Sequence, residues 1–596
     1  MQEPDKKLFP YTQQDSLLGQ GLNLSRCLAI SGSVFGITLV SLYWNQGPAV
    51  SWLQQFKSQD VIWLLVLALF WNVLLVHLQK LNLGSVETLL RQDSVPTRWF
   101  VPMMVLFCFL FSWIGTHTLY HGYALSMDEF IDLFQVKTFL SGDLVATVNS
   151  NWREFGNPLQ PINIKYDAAN AYWSMGVLPL RAAFQTLFSL LGDVALAESF
   201  CAAATVFLVY LIAQKIWPEQ VQPHFVAAVF LVGSTQFLIT SISPYAMTTM
   251  LFFSVLWLYL YLTNTYLSHG LGCVTVFIAS GLHHWQNFPI FILPFLFGML
   301  VLRQWKIFAL YGFAVVLAAA FWKSWPAFSL EHWYGIVPTT NSTKPSVAAS
   351  ALNLLYKRDA QDVINWLVNL FRFFSWQHIL LAPMVYIAAK NWRSMPIILR
   401  VVALGVAFQA LIYSMLYPSQ GHGWGYRFLH EQLVGLALVA AFGWEVTSRR
   451  LSRLGVDANQ LLIGTSIVML ALALPIRAVQ VEQSVRPYAS ADSYIKQIDA
   501  DIVLLDIKSG WYSQDLVRNE PDLTNRPLVM ALQTLGAEQI KRLCQGHDTK
   551  YILFDTLSWL GIQPASNNLM VSYSTSMQYD AQLKEFGCTK VDYQSD

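Results

Sequence analysis

The clearest chemistry in the sequence is at Asp128 and Glu129, adjacent carboxylates in the stretch Tyr120-His121-Gly122-Tyr123-Ala124-Leu125-Ser126-Met127-Asp128-Glu129-Phe130, just past the end of an apolar run. Charged residues are only 12% of this 596-residue chain, so two carboxylates beside a membrane helix are costly unless water, a substrate or a counter-ion meets them. A carboxylate so placed can take the proton of an acceptor hydroxyl, and a phosphate leaving group would then need cations to neutralise it. Lys165, Arg181 and Arg427 are the cations that fall on the same side of the membrane in the reading below. Arg427 stands in the run Gln420-Gly421-His422-Gly423-Trp424-Gly425-Tyr426-Arg427-Phe428-Leu429-His430. Its three glycines let the backbone approach a ligand closely, and His422, Trp424 and Tyr426 are candidates to line a cavity there. Glycine-rich turns with aromatics also cap helices at a membrane interface, and both readings stand. His284, in the pair His283-His284, is a further candidate for the cavity wall. Adjacent histidines point in different directions on a helix, and no CxxC or zinc spacing occurs, so no metal site is expected. No cofactor is called for, with a divalent metal left open.

The elements that must position these residues are membrane helices. The chain is 55% hydrophobic and 14% aromatic, its mean hydropathy is +0.41, and apolar runs near the length needed to cross a ~30 Å hydrocarbon core recur from end to end. Spans are expected near 27–47, 61–79, 99–117, 194–214, 221–241, 245–265, 271–286, 288–303, 307–322, 376–390, 396–417, 429–447 and 459–477, about thirteen in all. The net charge of +1 and the lack of clustered Lys and Arg exclude a nucleic-acid partner. Lys6, Lys7, Arg26, Lys80, Arg91, Arg98, Lys215, Arg303, Lys306, Lys390, Arg393, Arg449, Arg450 and Arg453 all fall on one side of this arrangement, which makes that side cytoplasmic. The N-terminus is then cytoplasmic and the candidate chemistry faces outward.

The expected organisation is a cytoplasmic segment 1–26, an all-α polytopic membrane domain 27–477 with outer loops 118–193 and 323–375, and a small extracytoplasmic α/β domain 478–596. Within the first loop, Trp173 to Leu191 is apolar but contains Pro179 and Arg181, which suggests a helix lying in the interface with its arginine snorkelling to head groups. Trp322, Trp325, Pro326 and Trp333 suit a lid or an aromatic belt in the second. Beyond Gln480 hydropathy falls, and the β-rich runs 501–506, 526–532 and 550–555, with a helical pattern over 536–544, predict the α/β domain. Cys27, Cys108, Cys201 and Cys273 read as packing residues, whereas Cys544 and Cys588, alone in the outer domain, are candidates for one disulfide.

Taken in this order, these pieces resemble the GT-C membrane glycosyltransferases, the superfamily of protein O-mannosyltransferases and bacterial aminoarabinose transferases. Met127-Asp128-Glu129-Phe130 looks like that family's Asp-Glu motif, and Leu140-Ser141-Gly142-Asp143-Leu144-Val145 like its following Gly-Asp segment. The resemblance covers about Trp99 to Arg477. It implies an inverting glycosyltransferase that uses a polyprenyl-phosphate-linked sugar from the outer face, with a glycan, lipid or protein as acceptor. It also implies Asp128 as base, Glu129 as its partner, and Lys165 and Arg427 as phosphate contacts. Two spans precede the family's first helix, and Tyr166-Asp167-Ala168-Ala169-Asn170 replaces a Pro-Pro-Leu stretch, so neither donor sugar nor acceptor carries over. A bacterial inner or plasma membrane is the expected location, surrounded by membrane lipids. The alternatives are a lipid or sugar transporter or flippase, which should show inverted repeats and polar groups at mid-membrane, and a non-catalytic envelope assembly protein, which would not require Asp128.

Overall fold

The computed structural model describes residues 60, 61, 63, 64, 97–336, 360–416, 420, 422–453, 458–565 and 569–591. The expected span at 27–47, most of that at 61–79, and Cys27 lie outside them. The first described helix, α1 (Thr97–Thr118), ends shortly before α2 (Met127–Leu140), whose first turn carries Asp128 and Glu129. A hairpin of β1 (Ile164–Asp167) and β2 (Tyr172–Met175) and a short helix α3 (Leu180–Leu190) complete the first polar loop. The apolar body follows as α4 (Leu196–Ile216), α5 (Gln222–Val232), α6 (Thr235–Ser241), α7 (Ala246–Thr263), α8 (Tyr266–Ser280), α9 (Asn287–Val301) and α10 (Trp305–Tyr334). It continues as α11 (Ala360–Ser375), α12 (Leu381–Lys390), α13 (Ile397–Leu416), α14 (Leu433–Arg453), α15 (Ala458–Val468) and α16 (Leu474–Lys496).

Among the described residues, six helices are long and apolar enough to cross a membrane, and the pair α5 and α6, bent by 61°, makes a seventh. Three of the expected spans correspond to α8, α9 and α12, apolar helices of 10–17 residues, below the ~20 that a perpendicular crossing needs. The expected span 307–322 is also redrawn, because α10 runs on to Tyr334 with Pro326 inside it. Its tryptophans pack on one another, Trp325 lying 5.6 Å from both Trp322 and Trp333 between ring centroids, so the aromatic run is helix rather than loop.

The apolar body packs mainly through large aliphatic and aromatic side chains, with hydroxyls adding hydrogen bonds between helices, as is common in membrane bundles. Ser112 of α1 donates to Ser241 O at 2.6 Å, Thr116 to Ile242 O at 2.9 Å, and Ser199 of α4 to the Ser112 hydroxyl at 3.2 Å.

After α16 the chain builds a four-stranded parallel sheet in the order β4 (Leu528–Ala531), β3 (Ile502–Leu505), β5 (Thr549–Ile552), β6 (Thr589–Lys590). Parallel strands need crossover connections; α17 (Ala537–Gly546) links β4 to β5, α18 (Phe554–Trp559) and α19 (Leu569–Glu585) link β5 to β6, and a loop with a single 3-10 turn, Ser513–Leu516, links β3 to β4. β3 and β4 are buried at every position, and β5 at all but Lys550, as a parallel sheet covered on both faces requires. Cys544 of α17 and Cys588 are joined as a disulfide, with Cα atoms 4.9 Å apart. The sheet does not stand apart from the loop that carries Asp128. Ile131, Phe134 and Trp173 share one hydrophobic core with Leu504, Met530, Tyr551 and Cys588. Trp173 donates to Pro521 O at 3.0 Å, and Asn519 to Leu159 O at 2.9 Å.

Arg181 requires a correction. It does not snorkel to head groups: its side chain is wholly buried, paired with Asp132 of α2 and at 2.9 Å with Glu198 of α4, and it donates to Pro244 O at 2.6 Å. Thr249 of α7 donates to the same Glu198 oxygen at 2.8 Å. Two carboxylates in a dry interior draw the guanidinium inward more strongly than head groups draw it out. The exposed leucines of this region are Leu187, Leu190 and Leu191, at the far end of α3. Removing the cation by Arg181→Ala leaves Asp132 and Glu198 as buried like charges, which should cost about 3–5 kcal/mol. The thermal unfolding midpoint of the purified protein should fall clearly, with Arg181→Lys intermediate; an Arg181→Ala midpoint equal to wild type would contradict this role.

Candidate functional site

Ser126 starts α2, and Glu129, three residues on, reaches back so that Oε2 accepts from the Ser126 N–H at 2.9 Å. The other Glu129 oxygen accepts from the Tyr120 hydroxyl at 2.9 Å, and that hydroxyl accepts from Trp424 Nε1 at 3.0 Å. Glu129 is fully buried, and burial pushes its carboxyl up to about 7. Its geometry is that of a residue fixing the start of α2. Asp128 is the carboxylate of the pair that remains partly open, at 38% side-chain exposure.

Asp128 is held from two sides. Oδ2 accepts from Arg427 Nη1 at 2.9 Å, and Oδ1 accepts from Asn163 Nδ2 at 3.0 Å. Asn163 lies at φ 69°, a left-handed conformation that asparagine tolerates better than most residues, and this presents its amide to α2. Burial alone would raise the Asp128 carboxyl, but the Arg427 guanidinium outweighs it and holds the group below its ordinary range, with help from the N-terminal end of the α2 dipole.

Arg427 is set by the glycine-rich run. Gly425 adopts φ 62°, and a Cβ there would lie 2.2 Å from Gln236 Oε1, so only glycine fits. Gln236, from α6 just past the bend in the α5–α6 pair, donates to Tyr426 O at 3.0 Å and is itself contacted by Gln377 Nε2 at 3.0 Å. Gln420 donates to Gly425 O at 2.8 Å and accepts from the Arg427 N–H at 3.0 Å, and Arg372 of α11 donates to Gly423 O at 3.0 Å. The loop is therefore clamped at successive residues. The Arg427 side chain, 14% exposed, packs over the Tyr245 and Phe428 rings and also donates to the Tyr245 hydroxyl at 3.2 Å. That hydroxyl in turn accepts from Ser126 Oγ at 3.0 Å. Arg427 Nε is buried with no partner among the described residues.

The remaining sequence candidates divide. His283 and His284, in the turn after α8, lie 4.4 Å apart between ring centroids and tilted by 43°, and both sense the charge of Asp128; burial holds the two imidazoles below their ordinary range, so they are neutral at neutral pH. His422 is nearly buried, its value lowered to about 4 by burial, with Nε2 4.0 Å from Asp515. Trp424 and Tyr426 are buried supports of the loop and of Tyr120 rather than exposed walls. Lys165 is exposed on β1, two residues from Asn163, and makes no ion pair among the described residues. Arg181 is committed to Asp132 and Glu198 and its side chain is wholly buried. Asn163 and Tyr245 were not singled out as site residues from the sequence. Both sit in unremarkable turns, and no motif marks them. Among the described residues no group of three or more His, Cys, Asp or Glu could hold a metal.

No family model matches the chain, and no curated protein matches it. Among solved structures it is similar to ArnT from Cupriavidus metallidurans bound to undecaprenyl phosphate, at 12% identity over 72% of this chain and 86% of that one, with a TM-score of 0.42. The apo form of the same protein gives 11% identity, 71% and 85% coverage and a TM-score of 0.41. The Archaeoglobus fulgidus oligosaccharyltransferase, tethered to an acceptor peptide, gives 11% identity, 68% and 58% coverage and a TM-score of 0.38. Both proteins are members of the GT-C superfamily. Likenesses this loose fix neither a substrate nor a residue's role in this chain.

The ion pair sets a pH dependence. A carboxyl held below its ordinary value contributes stability that is fully present above the ordinary carboxylate range of ~4 and is lost as pH falls through the lowered value. Arg427→Gln leaves the burial and removes the cation, so Asp128 should rise toward or above its ordinary range, and the thermal midpoint, lower than wild type at neutral pH, should fall less steeply than wild type as pH drops through the carboxylate range. Superimposable acid limbs would contradict the pairing.

Proposed function

We propose that this chain is a membrane glycosyltransferase that moves a sugar from a polyprenyl-phosphate-linked donor to a hydroxyl of a glycan, lipid or protein acceptor at the outer face of the membrane. The observation that carries the reading is the 2.9 Å pair of a partly open carboxylate, Asp128, with a guanidinium, Arg427, that keeps an unpartnered N–H. Those are the two groups an inverting displacement needs, one to accept a proton and one to receive a phosphate. The outer face rests on the Lys and Arg asymmetry, and the polyprenyl-phosphate donor on the resemblance of residues 127–130 and 140–145 to the GT-C motifs.

In this mechanism the acceptor oxygen attacks the anomeric carbon from the side opposite the phosphate. The hydroxyl proton passes to Asp128, and the bond from the anomeric carbon to the phosphate oxygen breaks with its electron pair leaving on the phosphate. Arg427 neutralises that departing charge; its planar fork can engage two phosphate oxygens at once. Lys165, exposed beside Asn163, is a second cation within the same loop. Glu129, Tyr120 and Trp424 act as positioning residues for Asp128. Both proton acceptor and counter-charge come from side chains, so we propose no cofactor.

Asp128→Asn keeps the shape and removes the proton acceptor, so transfer should fall by ~10²- to 10⁴-fold while the protein still folds and inserts. Arg427→Lys should keep part of the activity, and Arg427→Ala much less, with loss in donor binding as well as in rate. The check is a deletion strain complemented with each variant, following glycan transfer and the accumulation of unused lipid-linked sugar. Normal turnover by Asp128→Asn would remove the assignment.

A further inference from the structure

The loop between β3 and β4 carries a feature that the transfer mechanism does not use. Tyr512 adopts φ 48°, ψ 22°, a left-handed conformation that is a genuine outlier for a bulky aromatic residue. Its surroundings impose it. The backbone of the preceding residue is fixed on both sides, Trp511 N donating to Gln563 O at 2.7 Å and Trp511 O accepting from the Tyr488 hydroxyl at 2.8 Å. Asp515 N then donates to Tyr512 O at 2.9 Å. Conformations of this kind persist only where the fold over-determines them, and they cluster at ligand sites.

The strain holds an aromatic surface open. Trp511 and Tyr512 lie 4.7 Å apart between ring centroids, both half-buried, and the Tyr512 ring is backed at 4.0 Å by His422. The Tyr512 hydroxyl makes no hydrogen bond among the described residues. Asp515, one turn on, stands 4.0 Å from His422. The cluster adjoins the ion pair, since His422 and Tyr512 both sense the charges of Asp128 and Arg427. A partly open ring pair that ends in an unbonded phenol presents an apolar face edged by a hydrogen-bonding group.

We infer that Trp511 and Tyr512 form a platform for a pyranose ring, its C–H face against the two aromatic side chains and a hydroxyl toward the Tyr512 phenol. The inference rests on the transfer reading for why a sugar comes there, and the ring belongs either to the donor or to a glycan acceptor.

The test uses full-length protein in lipid nanodiscs, with saturation-transfer NMR on methyl pyranosides of glucose, galactose, mannose and N-acetylglucosamine. Wild type should show transfer to the ring protons of at least one. Tyr512→Phe should keep most of that signal and Tyr512→Gly should lose it, while Tyr512→Gly still binds undecaprenyl phosphate as wild type does. Displacement of the pyranoside by undecaprenyl-phosphoryl-glucose assigns the platform to the donor sugar, and retention assigns it to the acceptor. No pyranoside signal in wild type, a signal that survives Tyr512→Gly, or loss of undecaprenyl phosphate binding along with it in Tyr512→Gly would overturn the platform. Undecaprenyl phosphate binding, measured on the same samples, reports on the phosphate site; if it persists while the platform fails, the transfer reading stands, and if it is absent from wild type, that reading fails on its own.

Discussion

The site depends on one guanidinium having two uses. In the structure Arg427 is spent on Asp128, and its charge holds that carboxyl below its ordinary range against the upward push of burial. In the proposed reaction a donor phosphate arriving at Arg427 would compete with Asp128 for the same N–H groups. As the phosphate took them, Asp128 would lose its counter-charge and its proton affinity would rise, which is what a base needs once the acceptor hydroxyl is in place. Donor binding and base activation would then be linked through a single side chain.

Much of the surrounding structure serves to hold that pair. Asp128 is fixed through the start of α2, by Glu129, Tyr120 and Trp424 on one side and by the buried Asp132–Arg181–Glu198 cluster one turn further along. Arg427 is fixed through the backbone of residues 423–427, clamped by Gln236, Gln420 and Arg372. The two halves meet at the Tyr245 hydroxyl, which contacts both Ser126 and Arg427. The parallel sheet closes the assembly by sharing a core with the Asp128 loop, and Arg518 reaches from it to the carbonyls of Ala124 and Leu125 while stacking on Tyr123 at 3.9 Å. The bend between α5 and α6 is part of the same design, because it places Gln236 where a straight helix would present only its own backbone.

The parts legible in the sequence were those written as local pattern. Apolar runs located α1, α4, α7 and α13, since a membrane helix must be continuously apolar. Asp128 and Arg427 stood out because charge is scarce in the chain and the glycines around Arg427 are dense, and the structure pairs them across 299 positions. What was not legible depends on contacts between distant segments. Nothing local distinguishes Arg181, which pairs inward, from an arginine that snorkels, since its partners Asp132 and Glu198 lie 49 and 17 residues away. Tyr245 follows Pro244 with no local pattern to mark it, and Asn163 reaches Asp128 only through a left-handed backbone that no single residue type announces. The adjacent pair Asp128-Glu129 hid a division of labour that follows from helix geometry: the third residue of the first turn can reach back to cap, and the second cannot.

The most direct measurement of the shared guanidinium is the affinity of undecaprenyl phosphate for purified wild-type and Asp128→Asn protein at neutral pH. If Arg427 is held by Asp128 and must be surrendered to the phosphate, removing the carboxylate charge frees it, and the lipid should bind Asp128→Asn more tightly even though that variant cannot transfer sugar. Equal or weaker binding by Asp128→Asn would contradict competition between carboxylate and phosphate for Arg427.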